Sequence, residues 1–196
     1  MGLFGGATIK GEEQQRCLAY YEAEVGVTAF QTREADLFNG VLTRCGKVVK
    51  KDPAAAREVR TAAHRLVEAA KEIVRRREQI EPVPETALFL HWAWHITSLT
   101  YAVWAQATLS AMETLSNGMT PHYKYVQHVA GEHKAAWLKA QKEEKKFLKQ
   151  MHIAKPQISK IADQSIESAK ADGWQPEVAA TSDDEGATTE IAVYSI

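Results

Sequence analysis

The sequence predicts an all-α fold: an antiparallel bundle of four long helices, followed by a short fifth helix and an extended C-terminal tail. Three observations lead to this prediction. Apolar side chains recur at three- and four-residue steps through most of the chain, which is the period of an α-helix. Proline, glycine and asparagine separate these segments where helices would start and stop. One segment, Thr86–Met112, contains no charged residue in 27 positions.

The size and composition of the chain indicate one domain with a tail. Its 196 residues are 45% apolar and 25% charged, which is ordinary for a globular protein. A net charge of −1 gives no overall attraction to nucleic acid or to an anionic membrane. We expect a flexible N-terminal segment at 1–11, a helical domain at 12–171 and an acidic extended tail at 172–196.

The first helix is predicted from Glu12 to Lys50. It carries both cysteines, Cys17 and Cys45, about 40 Å apart on a straight helix. A disulfide needs Cα atoms within about 7 Å, so we expect two free thiols, with a bridge between chains as the alternative. The second half of this helix has an apolar stripe, made by Phe38, Leu42, Cys45 and Val49.

The second helix is predicted to begin at Asp52-Pro53, a capping residue followed by a proline suited to the first turn. It reaches about Ile80, and Pro82 and Pro84 stop it. We expect the arginines at 75–77 to form an exposed basic cluster near its end. Its apolar seam of near-heptad spacing consists of Val59, Ala63, Leu66, Ala70, Ile73 and Ile80.

The third helix, predicted over Glu85–Ser116, includes the uncharged segment. A helix that is apolar on most sides is typical of a bundle centre or of an oligomer interface. It is long enough to cross a bilayer, but scattered polar residues and the lack of a basic flank argue against this. We call the following seven side chains, which we expect in the core or at a subunit interface, the hub residues: Phe89, Trp92, Trp94, Leu99, Tyr101, Trp104 and Trp137.

The fourth helix is predicted to start with a Thr120-Pro121 cap and to reach Met151. Its last turns are rich in lysine, which we expect to be a solvated face or a contact for the acidic tail. A short fifth helix should open at Pro156 and end at Asp172-Gly173. The apolar face of the fourth helix consists of Val126, Val129, Trp137, Ala140, Phe147 and Met151.

Two histidines four residues apart, His91 and His95, share one helix face, which is a suitable spacing for metal or haem ligands. A third ligand would come from His128 or His133 on the next helix. Trp92 stands where a zincin would need glutamate, and no histidine has the preceding glutamate of a ferritin-like site. We therefore expect hydrogen-bonded core histidines and no cofactor, with metal or haem binding as an alternative.

Catalytic signatures are missing from the sequence. Neither cysteine lies in a nucleophile motif, and there is no Gly-x-Ser-x-Gly or glycine-rich phosphate loop. Adjacent carboxylates such as Glu12 and Glu13 point about 100° apart on a helix and do not converge. We expect a protein that is not an enzyme.

Both ends of the chain have features of interaction segments. The opening Met1-Gly-Leu-Phe-Gly resembles the start of membrane-remodelling helical proteins of the ESCRT-III class and of viral fusion peptides, over five or six residues. Residues 1–80 are nearly balanced in charge, unlike the basic first half of ESCRT-III chains, so no property of that family is assigned. The C-terminal run is apolar and could add a strand to another protein's sheet, through Ile191, Val193, Tyr194 and Ile196.

Together these observations predict a non-enzymatic structural or assembly subunit that associates with itself and with other proteins of a particle, such as a virion or a secretion-type particle. Peripheral membrane association is a further alternative, dependent on Leu3 and Phe4. There is no strong signal for nucleic-acid binding, although the lysines at the end of the fourth helix could contact nucleic acid or lipid headgroups. The first ten residues lack the regions of a secretory signal, so we expect a cytoplasmic protein or a component of an assembled particle.

Overall fold

The computed structural model describes residues 11–45, 48–152 and 155–171. These residues contain no strand, and the all-α prediction is confirmed. A 3-10 helix, Glu85–Ala87, precedes the third long helix. The five α-helices are α1 (Glu12–Cys45), α2 (Pro53–Glu78), α3 (Leu88–Ser116), α4 (Tyr123–Met151) and α5 (Lys155–Ala171).

Two helix ends differ from the sequence-based expectation. α1 ends at Cys45 instead of Lys50, because residues 48–51 form a turn in which the backbone N–H groups of Val48 and Val49 donate to the Cys45 carbonyl. α4 begins at Tyr123, and Thr120 does not cap it. His122 occupies the cap position and makes no capping hydrogen bond through its side chain. The start of α2 is as predicted, since Asp52 accepts a hydrogen bond of 2.8 Å from the backbone N–H of Ala54.

Consecutive long helices run antiparallel. Arg44, near the end of α1, forms an ion pair of 3.0 Å with Glu58, near the start of α2. His64 in the first half of α2 lies 3.8 Å from Glu113 near the end of α3. Short connections between neighbouring helices produce this up-and-down arrangement, which is the usual one for a four-helix bundle.

The fourth helix packs along α3, and its C-terminal end contacts the first half of α1. Trp94 of α3 meets Trp137 of α4 with ring centroids 5.0 Å apart. Tyr21 of α1 donates a hydrogen bond of 2.8 Å to Glu144 of α4. α5 lies outside the four helices and packs on α1, and it buries Ile161 there.

The bundle core is built from the stripes that the sequence predicts. The α2 seam is buried along its whole length, and Ile80 is buried just beyond the helix end. The predicted face of α4 is buried except for Trp137, which is half-buried. Cys17 and Cys45 are buried free thiols at opposite ends of α1. Their placement agrees with the expectation that they cannot pair within the chain.

Candidate interaction site

The third helix presents an apolar face to solvent. The exposed fraction of Phe89 is 75% and that of Trp92 is 60%, and the three other members of this face are each exposed by about 45%. Their spacing alternates between three and four residues, so they form one line about 21 Å long on the helix surface. We call this line the α3 stripe: Phe89, Trp92, Ile96, Leu99 and Val103.

The opposite face of α3 forms the centre of the bundle. Trp104 is 1% exposed and meets Phe38 of α1 edge-on, with ring centroids 6.0 Å apart. Tyr101 packs against Trp104 at 5.5 Å, and Trp94 is buried against Trp137. These aromatic pairs contribute packing and edge-to-face attraction in the core.

The hub residues therefore divide into two sets. Trp94, Tyr101 and Trp104 are buried and Trp137 is half-buried, whereas the three others lie on the α3 stripe. The other helices of the bundle cover only one side of α3. The stripe leaves roughly 500 Å² of apolar side-chain surface in contact with solvent, near the upper end of the patch that a monomer normally carries.

A buried ion cluster lies beneath the N-terminal half of α3. Glu24 of α1 and Arg77 of α2 are 1% and 0% exposed, with the Glu24 Oε2 and Arg77 Nε atoms 3.0 Å apart. Tyr20 donates a hydrogen bond of 2.8 Å to Glu24, and His91 Nδ1 lies 3.1 Å from the same carboxylate. Burial and the neighbouring Glu24 carboxylate raise the pKa of Tyr20 far above its ordinary value, so its phenol remains a donor.

The Arg77 guanidinium also ties three helices together. It donates to the Trp94 carbonyl at 2.7 Å and to Ser98 at 2.6 Å, both on α3. It donates to Thr28 of α1 at 3.1 Å. The prediction that the arginines at 75–77 form an exposed cluster is wrong for Arg77, which is buried. Only Arg75 and Arg76 lie on the surface, where both pair with Glu72.

The four histidines proposed as metal ligands do not form one site. His91 pairs with Glu24, and His95 stacks on His91 with ring centroids 6.5 Å apart. His128 is exposed and lies 3.5 Å from Glu132. His133 is buried and within 3.2 Å of the Thr100 hydroxyl. Across the described residues, no three histidine, cysteine, aspartate or glutamate side chains converge in a way that could hold a metal ion.

Comparison with protein families, curated proteins and solved structures finds no match. In the described part of the chain, no helix combines the length and the hydrophobicity needed to cross a bilayer.

The other predicted contact regions are the two chain ends and the lysine-rich end of α4. The tail residues Ile191, Val193, Tyr194 and Ile196, and the N-terminal Leu3 and Phe4, lie outside the described residues. The lysines at the end of α4 are exposed, and Lys146 pairs with Glu143 at 2.7 Å. A groove of about 510 Å³ lies between α1, α5 and the end of α2, and it includes no side chain of α3.

Burial of His133 makes the stability of the fold depend on pH. Desolvation lowers the pKa of His133 from 6.5 to about 4, so the folded chain holds it neutral while the unfolded chain can protonate it. Stability from this residue is fully present above pH 6.5, and about 3 kcal/mol of it is lost as the pH falls from 6.5 to 4.

We expect His133→Gln to flatten the pH dependence of the free energy of unfolding in this window, as measured by urea denaturation at several pH values. His128→Gln, at an exposed histidine of the same helix, is the control for the chemical change itself. Equal slopes for His133→Gln and the unaltered chain would show that His133 is not held neutral.

Proposed function

We propose that this chain is a non-enzymatic structural subunit that associates with a second copy of itself through the α3 stripe. The observation that carries the proposal is the line of five exposed apolar side chains on a helix that has no charge between Thr86 and Met112. Isolated apolar residues are common on protein surfaces, whereas the largest continuous apolar patch, of several hundred Å², is often a functional surface.

A second copy fits the stripe better than a charged partner does. The stripe offers no ion pair to a partner, and a face without charge meets no repulsion from an identical face. Alternating steps of three and four residues are the spacing by which two helices interdigitate along their length. Complete burial of two such faces would remove on the order of 1,000 Å² from solvent, about the minimum area for a biological interface and typical of a weak one.

Assembly into a larger particle needs a second contact surface. The sequence offers the acidic segment 172–196 with its apolar end, and the exposed lysines of α4 carry the opposite charge. We include such a contact in the proposal as the step from a dimer to a particle such as a virion or a secretion-type particle. The α3 contact does not depend on it.

A charge placed in the middle of the stripe should abolish self-association. We expect Ile96→Glu to convert the protein to a monomer, because a carboxylate at this position would be desolvated against its own copy. Leu138→Glu on α4 is the matched control, since Leu138 is exposed by 47% and Ile96 by 44%. The mass of each variant in solution reports its association, and circular dichroism verifies that the helical fold is intact.

If Ile96→Glu and Leu138→Glu both abolished self-association, the α3 stripe would have no specific role in it. A monomeric unaltered protein that floats with liposomes would instead support membrane association. That result would overturn the proposal, since the stripe would then contact lipid.

A further inference from the structure

We propose that the two copies of α3 pair antiparallel, with Trp92 opposite the partner's Val103 and Ile96 opposite the partner's Leu99. This inference rests on the proposed self-association and adds the orientation and register of the contact. Three properties of the α3 stripe support it: the order of its steps, the gradient in side-chain size, and the charges just beyond its ends.

The order of the steps selects the register. From Trp92 through Ile96 and Leu99 to Val103 the steps are four, three and four residues. Read from the other end the steps are the same, so an antiparallel copy places each side chain level with one of the partner. A pairing centred on Ile96 lacks this symmetry, because it sets Trp92 opposite the partner's Thr100, which is not on the stripe.

The gradient in side-chain size selects the orientation. The largest stripe residues, Phe89 and Trp92, are near the N-terminal end, and the smaller Leu99 and Val103 are near the other end. Antiparallel pairing places a large side chain against a small one in each outer layer, so the layers have similar thickness. Parallel pairing would stack Trp92 on its own copy and leave a gap between two Val103 side chains, and gaps cost packing energy.

The charge just before the stripe disfavours the other symmetric register. Phe89 opposite the partner's Leu99 would also match the steps, but it would bring Val103 level with the partner's Glu85, an exposed carboxylate. Desolvation of a carboxylate against an apolar side chain is unfavourable. In the proposed register Phe89 lies opposite the partner's Gln106, so the whole seam remains within the uncharged segment.

Disulfide cross-linking under a mild oxidant tests the arrangement with two single variants, Phe89→Cys and Gln106→Cys. Both positions are exposed and lie at the edge of the proposed seam, and the native cysteines are buried. In the proposed register two copies of Gln106→Cys are about 25 Å apart, too far to bridge. We expect a cross-linked dimer when the two variants are mixed, and none with either variant alone or with the unaltered protein.

The other outcomes separate the orientation from the self-association. Cross-linking of each variant with itself would indicate parallel pairing and overturn the inference, while self-association would stand. Cross-linking of Phe89→Cys with Leu99→Cys, in place of Gln106→Cys, would overturn the register. If the protein formed a dimer but none of these cross-links, the proposed pairing of the two α3 helices would be wrong. A monomer by mass measurement would overturn the proposed function as well.

Discussion

Replacing Arg77 with methionine is expected to lower the free energy of unfolding by about 3–5 kcal/mol, because Glu24 would remain buried without its cation. The guanidinium is fully enclosed and links Glu24, the Trp94 carbonyl and Ser98. Methionine fills a similar volume but supplies no donor, so Glu24, the Trp94 carbonyl and Ser98 would each lose one partner. Urea denaturation followed by circular dichroism measures the loss.

The neighbouring arginine provides the control. Arg76 pairs with Glu72 at 2.7 Å and lies over the Phe30 ring, but its side chain is 46% exposed. Surface ion pairs contribute about 0–1 kcal/mol, so Arg76→Met should cost little. Equal effects of Arg77→Met and Arg76→Met would mean that the Glu24 carboxylate is not enclosed as described.

Replacing Trp104 with alanine is the second large effect, with an expected loss of about 3–5 kcal/mol. The indole is 1% exposed and packs between Phe38 of α1 and Tyr101 of its own helix. Its removal leaves a cavity at the contact between α1 and α3, and the surrounding helices can fill it only in part. Thermal or urea denaturation would detect a large shift of the midpoint.

Trp92→Ala makes the same chemical change on the exposed face of the same helix. In the background of Ile96→Glu, where we expect a monomer, Trp92→Ala should cost less than about 1 kcal/mol, since Trp92 is 60% exposed. In the unaltered background it should weaken self-association. If Trp92→Ala destabilised the monomer as strongly as Trp104→Ala, the division of α3 into a core face and an interaction face would be wrong.

Much of the fold could be predicted from the sequence because contrast between apolar and polar residues marks the buried face of a helix. The seam of α2 shows this contrast clearly, and so does the second half of α1. Arg77 was missed although it occupies the seam position between Ile73 and Ile80, four and three residues from them. An arginine at a seam position indicates a buried ion pair, so the sequence contains the information needed to predict that Arg77 is buried.

The partner of Arg77 was harder to find. Positions 17, 24, 31, 38 and 45 of α1 all face the core at seven-residue intervals, but Glu24 and Gln31 interrupt the apolar pattern. A helix face that contains polar residues is predicted to be solvent-exposed when apolar periodicity is the only criterion. The burial of Glu24 depends on Arg77 and His91 from other helices, and those contacts are set by tertiary structure. The side-chain amide of Gln31 is buried without a hydrogen-bond partner among the described residues.

The two faces of α3 could not be separated from sequence for the opposite reason. Its buried and exposed positions are both apolar, so the pattern of apolar and polar residues does not indicate which side of the helix is buried. Only the packing of α2 and α4 against α3 decides that Trp94 is covered and that Trp92 is not. The α3 stripe is therefore defined by tertiary structure, since the other helices cover one side of α3 and leave the other side exposed.

If a second copy of the chain covers the exposed side of α3, the mass of the unaltered protein must depend on its concentration. Sedimentation equilibrium over micromolar concentrations measures this dependence. We expect a mass of at least twice 21.8 kDa that decreases toward one chain on dilution. A mass of 21.8 kDa at every concentration, with the helical fold intact, would contradict it.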